Sequence, residues 1–198
     1  SEDDTRPRRI DVVIPVSRHG REVTATIRST EAAARAVGDA VAVDIILVVS
    51  DALVARLPEA AAGHRLLSES TDVSSLLIAA GCAASAADIV AVVEAGNHLS
   101  APFLAALGAG DVSEHRVWCP EVVITFGLRT GTARQPAYAP EAVGARDLAR
   151  RLAREKVWES TLAGTPAVIA SAFRKAGSAG VVAASAALVL EELDQQRG

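Results

Sequence analysis

Polar side chains gather where three apolar runs stop: at Pro15-Val16-Ser17-Arg18-His19-Gly20, at Ser50-Asp51, and at Glu94-Ala95-Gly96-Asn97-His98. A carboxylate at the end of a strand can accept a hydrogen bond from a base or a ribose. With oxygen or nitrogen neighbours it can also share in holding a divalent cation. Asp51 and Glu94 are placed for such work. In VVEAGNHLSAPFL (92–104) Glu94 is the only acid. Asn97 adds a neutral oxygen, and His98 adds an imidazole that suits Mn2+ better than Mg2+. Each residue also has a plainer role. Asp51 can cap the next helix, Gly96-Asn97 can be an ordinary turn, and His19 can be a solvated loop histidine.

The elements that would position these residues alternate. Asp11–Ser17 and Asp44–Ser50 read as continuous apolar strands, with His64–Leu67 as a short third and Asp88–Val93 as a fourth. Arg21–Val37 reads as a helix stopped by Gly38. A weak helical stretch runs from Asp51 to Leu57. Asp72–Ala87 reads as a helix capped by Asp72, with Leu76, Leu77 and Ala80 facing inward. Ser100 caps a helix that has Pro102 in its first turn. Trp118–Phe126 holds another strand, and 127–140 is irregular and contains the single tyrosine, Tyr138. Glu141–Leu162 is expected as a long helix, and Val181–Gln195 as the last one. Strands apolar throughout, alternating with helices, predict an α/β three-layer sandwich with a mostly parallel sheet. Ligands of such sheets bind at the carboxyl ends of the strands, where the three polar breaks fall.

Composition narrows the function. The chain has 198 residues, half of them hydrophobic and 22% charged, which suits one globular domain. The expected layout is a disordered tail at 1–9 and a single domain at 10–198, divided into a nucleotide half (10–135) and a shortened acceptor half (136–198). A net charge of −4 argues against a nucleic-acid partner. No apolar run is long enough to span a bilayer. The polar start and the widely separated Cys82 and Cys119 predict a cytoplasmic protein with reduced, buried thiols. If the apolar run Ala179–Leu190 were exposed, it would point to a homodimer. The helix at 144–156 carries Arg146, Arg150 and Arg154 on one face. That face is either anion-binding or solvated and laced by i,i+4 ion pairs. Trp158 either closes the core or stacks on a sugar.

The loop after the first strand has one glycine and not the three of a dinucleotide turn, and no P-loop or Gly-x-Ser-x-Gly elbow occurs. A nucleotide would therefore be held by carboxylates and a metal, not by a glycine cradle. VVIPVSRHGREVTATIRST, DIILVVSDA and AAGCAASAADIVAVVEAGNHLSAPFL resemble the nucleotide-binding half of glycosyltransferase family 2, which has the GT-A fold. GTPAVIASAFRKAG (164–177) is similar to a later segment of that family. The resemblance implies a Rossmann-type GT-A-like fold and transfer of a sugar from a UDP- or GDP-linked donor. It places Pro15, Ser17, Asp51 and Glu94 at the donor, with Asp51 at the base and Glu94 near the ribose. It places Mn2+ or Mg2+ at Glu94, Asn97 and His98.

The family's Asp-x-Asp element falls on Glu94 and Gly96, so the second acid is missing and the motif is degenerate. The asparagine of its Asn-Ala-Gly element falls on Ala79. The family's acidic catalytic pair has no match in register, because Glu191-Glu192 lies deep in the last helix. These departures define an alternative: a non-catalytic GT-A-like pseudo-enzyme that acts as a binding or scaffolding module.

Overall fold

The computed structural model describes residues 6–17, 21–110, 117–118, 165–170 and 181–198. Six strands form one sheet in the order β3-β2-β1-β4-β6-β5. The strands are β1 (Arg8–Val16), β2 (Val41–Ser50), β3 (Arg65–Glu69), β4 (Ile89–Val93), β5 (Val117–Trp118) and β6 (Val181–Ser185). β1 pairs in parallel with β2 and β4, and β2 pairs in parallel with β3. β6 runs antiparallel between β4 and β5. The fold is thus an α/β sandwich of the GT-A-like Rossmann type, with a mostly parallel sheet.

Alternation along the strands divides the core into two layers. Ile10, Val12, Ile14 and Val16 of β1, with Ile45, Leu47 and Val49 of β2, face helices α1 (Arg21–Val37) and α3 (Ala101–Gly108). There they meet Val23, Ile27, Leu104 and Leu107. On the opposite face Val13, Ile46, Val48, Val90 and Val92 meet Leu77, Ile78 and Cys82 of α2 (Ser74–Ala84). Val189 and Leu193 of α4 (Ala186–Arg197) complete that layer. Aliphatic side chains fill both layers, so α2 can approach the sheet closely. A Cβ on Gly81 would stand 2.4 Å from Val13 Cγ1 and 2.8 Å from Val48 Cγ2.

Several boundaries differ from the sequence expectation. β1 begins at Arg8, not Asp11, so the expected tail at 1–9 loses its last two residues to the sheet. Arg8 and Arg9 pair with Val41 and Ala42, which also starts β2 earlier than Asp44. The Arg9 amide donates to Asp88 Oδ2 at 2.9 Å, and Arg6 Nη2 to Asp88 Oδ1 at 2.8 Å. These bonds anchor the segment that composition alone marks as solvated. α2 starts at Ser74 with Val73 in the cap position and no side-chain cap bond, so Asp72 does not cap it. Thr71 Oγ1 accepts from the Val73 amide instead. Leu76 is 47% exposed, and Leu77 and Ile78 are the buried pair. The helix ends at Ala84 because Ser85 turns extended and donates to the buried Asp11 carboxylate at 2.6 Å.

The largest correction concerns Val181–Gln195, expected as one helix. Val181–Ser185 is a fully buried strand, and only Ala186–Arg197 is helical. Five small and β-branched residues between two strands gain ladder bonds on both sides, and a short apolar run carries no period to reveal this. Of this apolar run Val181–Ser185 is therefore buried between β4 and β5, and in the helix that follows Val189 is buried while Ala187 and Leu190 are exposed. Of the expected strand Trp118–Phe126 only Trp118 lies within the described residues. The irregular segment with Tyr138, the helix expected at 141–162 with its arginines and Trp158, and Cys119, Arg18, His19 and Gly20 lie outside them. No helix among the described residues is long and apolar enough to cross a membrane.

Candidate functional site

β1 leads through α1 to β2 on one side, and α2 leads into β4 on the other. The sheet order therefore reverses between β1 and β4, which makes the carboxyl ends of these strands the topological switch point of the sheet. Pro15 is buried within β1 opposite Val48, and Ser17 follows the strand, half-buried. Asp51 follows the end of β2, and Glu94 follows the end of β4. Both strands flank β1, so the two acids stand on one edge two interstrand spacings apart across the sheet and, by the register, three residues apart along it, on the order of 14 Å.

Asp51 opens a 3-10 turn, Asp51–Arg56, whose preceding residue Ser50 makes no side-chain cap bond. The Asp51 carboxylate does not cap that turn either. It accepts a hydrogen bond at Oδ1 from Ser68 Oγ on the neighbouring strand β3. Ser68 lies opposite Val49 in the β2–β3 ladder, one step before the strand ends. Asp51 is otherwise exposed.

The turn after β4 is tightly tied. The carbonyl of Glu94 accepts from the Asn97 amide at 3.1 Å and from Asn97 Nδ2 at 3.0 Å. Asn97 thus spends its amide nitrogen on the turn and keeps its side-chain oxygen as an acceptor. Gly96 has φ +94°, a conformation that L side chains rarely adopt. Its amide donates to Thr26 Oγ1 at 2.9 Å, and Thr26 Oγ1 in turn donates to the Glu22 carbonyl at 3.3 Å. Burial pushes the half-buried Glu94 carboxyl up to about 7 and the His98 imidazole down to about 4. At neutral pH His98 is therefore neutral and Glu94 is poised between its two forms.

The structure brings Glu94, Asn97 and His98 into one turn. Sequence reasoning passed over three further residues: Glu22, Thr26 and Ser68. Glu22 and Thr26 are one helical turn apart at the start of α1, next to a loop already singled out, and that i,i+4 spacing was the available signal. Ser68 is the penultimate residue of β3, and nothing in its type or spacing sets it apart in the sequence.

As a cation site, the turn supplies one carboxylate, one neutral oxygen and one neutral imidazole. That set fits part of the shell of an ion such as Mn2+ and needs ligand oxygens to complete it. Among the described residues no three His, Cys, Asp or Glu side chains gather closely enough to hold a metal ion on their own.

The class defined by this topology is a GT-A-like α/β fold. No protein-family model matches the sequence, and no curated protein sequence matches it significantly. Among solved structures the chain is similar to glucosyl-3-phosphoglycerate synthase from Mycobacterium tuberculosis in complex with Mn2+, uridine diphosphate and phosphoglyceric acid. The TM-score is 0.45 at 18% identity over 91% of this chain and 56% of that one. A second structure of that synthase, with Mn2+, UDP-glucose and phosphoglyceric acid, gives 0.42 at 20% identity over 91% and 57%. The chain spans a little over half the length of these proteins. Likeness this distant carries no weight for function.

Proposed function

We propose that this chain binds a nucleoside diphosphate sugar across the carboxyl ends of β2, β1 and β4 and transfers the sugar, as a small family-2-like glycosyltransferase. One observation carries the reading: two acids, Asp51 and Glu94, directly follow the strands on either side of β1, beside the point where the sheet order reverses. The quoted motifs around them fall in the register of the family they resemble. Asp51 holds the base, Glu94 the ribose, and Pro15 and Ser17 shape the floor between them. A divalent cation, when bound, would neutralise the diphosphate, with Glu94, Asn97 and His98 as its protein ligands. The neutral His98 adds no charge of its own beside the phosphates.

A second reading keeps the nucleotide and drops the chemistry. Gly96 favours it, since a residue at φ +94° with its amide spent on Thr26 offers no metal-binding side chain. Both readings are tested by calorimetry with UDP, GDP and UDP-sugars, with and without Mn2+, alongside an assay for nucleotide release. The expected result is metal-enhanced binding of a nucleoside diphosphate, weakened about tenfold or more by Glu94→Ala. Binding without release on any acceptor supports the binding module. If no nucleotide binds under any condition, the donor-site reading is wrong.

A further inference from the structure

We infer that Ser68 is a positioning residue for the nucleobase, acting through Asp51. The inference rests on the donor-site reading above. Asp51 is an exposed carboxylate at the open end of a strand, and such side chains sample several rotamers. Here one oxygen is fixed, because Oδ1 accepts from Ser68 Oγ across the β2–β3 edge. Among the described residues no other polar group takes up this carboxylate, so Oδ2 stays open as an acceptor. Among the described residues the Ser68 hydroxyl has no other partner, so it is committed to this one contact.

The bond does little for the fold. Both partners are exposed, and the ladder beneath them runs from Ile46 to Ser50 with or without the hydroxyl. What it fixes is the direction of Oδ2. A ring N–H donated to a carboxylate is strongly directional, so an acceptor held in place loses less rotamer freedom on binding. The ligand class is therefore a planar heterocycle with an N–H on its edge, and the imino edge of uracil and that of guanine both qualify. Phosphate and sugar lie towards β1 and β4 and do not feel Ser68.

Calorimetry on the full chain with UDP, GDP and inorganic diphosphate, each with Mn2+, tests this in wild type, Ser68→Ala, Ser68→Thr, Asp51→Ala and the Asp51→Ala/Ser68→Ala pair. Ser68→Ala is expected to weaken the preferred nucleotide by about 3- to 10-fold. Ser68→Thr, which keeps the hydroxyl, should restore it. In the Asp51→Ala background Ser68→Ala should change nothing, and diphosphate affinity should be the same in every variant. An equal loss for diphosphate, or a Ser68→Ala loss that persists without Asp51, overturns the inference, as does wild-type nucleotide affinity in Ser68→Ala. In those cases the donor site itself stands. If the wild type binds neither nucleotide, the donor-site reading fails and takes this inference with it.

Discussion

The carboxylate of Glu22 borders the position a side chain on Gly96 would take: its Oε2 lies 3.4 Å from the point a Cβ would occupy, an ordinary contact distance. The first turn of α1 thus lines the turn after β4 at its glycine. Placing an acid at position 96 is expected to destabilise the protein for two reasons. A positive φ costs any non-glycine residue about 1 kcal/mol or more. A carboxylate at position 96 would also face the one at Glu22. In urea unfolding, Gly96→Ala should lose about 1 kcal/mol, and Gly96→Asp should lose more at low ionic strength, with the gap closing as salt rises. Replacing Glu22 by Gln should close the same gap at low salt. Equal losses for the two variants at low salt would contradict the placement of Glu22.

A second expectation comes from the opposite face of the sheet. Alanine at position 81 would normally strengthen a helix by about 1 kcal/mol over glycine. Here the added methyl would collide with Val13 and Val48, two buried β-branched side chains with little rotamer freedom. Gly81→Ala should therefore destabilise the protein by about 1–3 kcal/mol in denaturant unfolding. Adding Val13→Ala should recover part of that loss, although Val13→Ala alone is costly. A gain in stability from Gly81→Ala would show that α2 sits farther from the sheet.

Glu94 and His98 pull the pH dependence of stability in opposite directions. The Glu94 carboxyl titrates near 7 when folded and near 4.5 when unfolded, so the native state holds the extra proton between those values. Its contribution is complete below about 4.5 and is lost as pH rises to about 7. His98 titrates near 4 when folded and near 6.5 when unfolded, so its contribution is present above 6.5 and is lost as pH falls towards 4. The two slopes offset each other over most of that window, and the wild type should show a nearly flat profile there. Glu94→Gln should expose a stability that rises with pH, and His98→Gln one that falls. Each swing has an upper limit of about 3 kcal/mol, less in so far as the half-buried groups are screened by solvent. Thermal unfolding from pH 4 to 8 reads this directly, and parallel profiles for the two variants would refute it.

The parallel half of this fold was legible because β1, β2 and β4 carry runs rich in Val and Ile and α1 has a glycine stop at Gly38, where φ is +61°. β6 was not legible. VVAAS next to AALVL has the composition of either a strand or a helix, and only the pairing with Val90–Val93 and Trp118 decides. At the site, the strand-end acids could be found because a carboxylate after an apolar run stands out. Ser68 could not, since its partner lies 17 residues away, and Glu22 had only its i,i+4 spacing to Thr26 as a signal, because the turn it borders lies in a different part of the chain. The turn itself read correctly as a break at Gly96-Asn97, but its bond to Thr26 spans 70 residues of sequence.

If a cation and a nucleoside diphosphate share the turn after β4, their binding must be coupled to a proton. Glu94 is poised near 7, and only its charged form is a ligand for a hard cation. Binding of Mn2+ with UDP should therefore release up to about half a proton at pH 7, and apparent affinity should rise from pH 6 to pH 8 by about tenfold at most. His98 contributes nothing to this slope, being neutral already above pH 5. Calorimetry in two buffers of different ionisation enthalpy measures the released proton, and Glu94→Gln should reduce the release and the slope to what the terminal phosphate of UDP, which titrates at about 6, supplies by itself. UDP alone, without Mn2+, should show a weaker or inverted pH dependence, because the neutral acid repels a phosphate less than the carboxylate does. A Mn2+–UDP affinity independent of pH in the wild type would place the cation away from Glu94, and would leave the nucleotide to be held by the β2 edge alone.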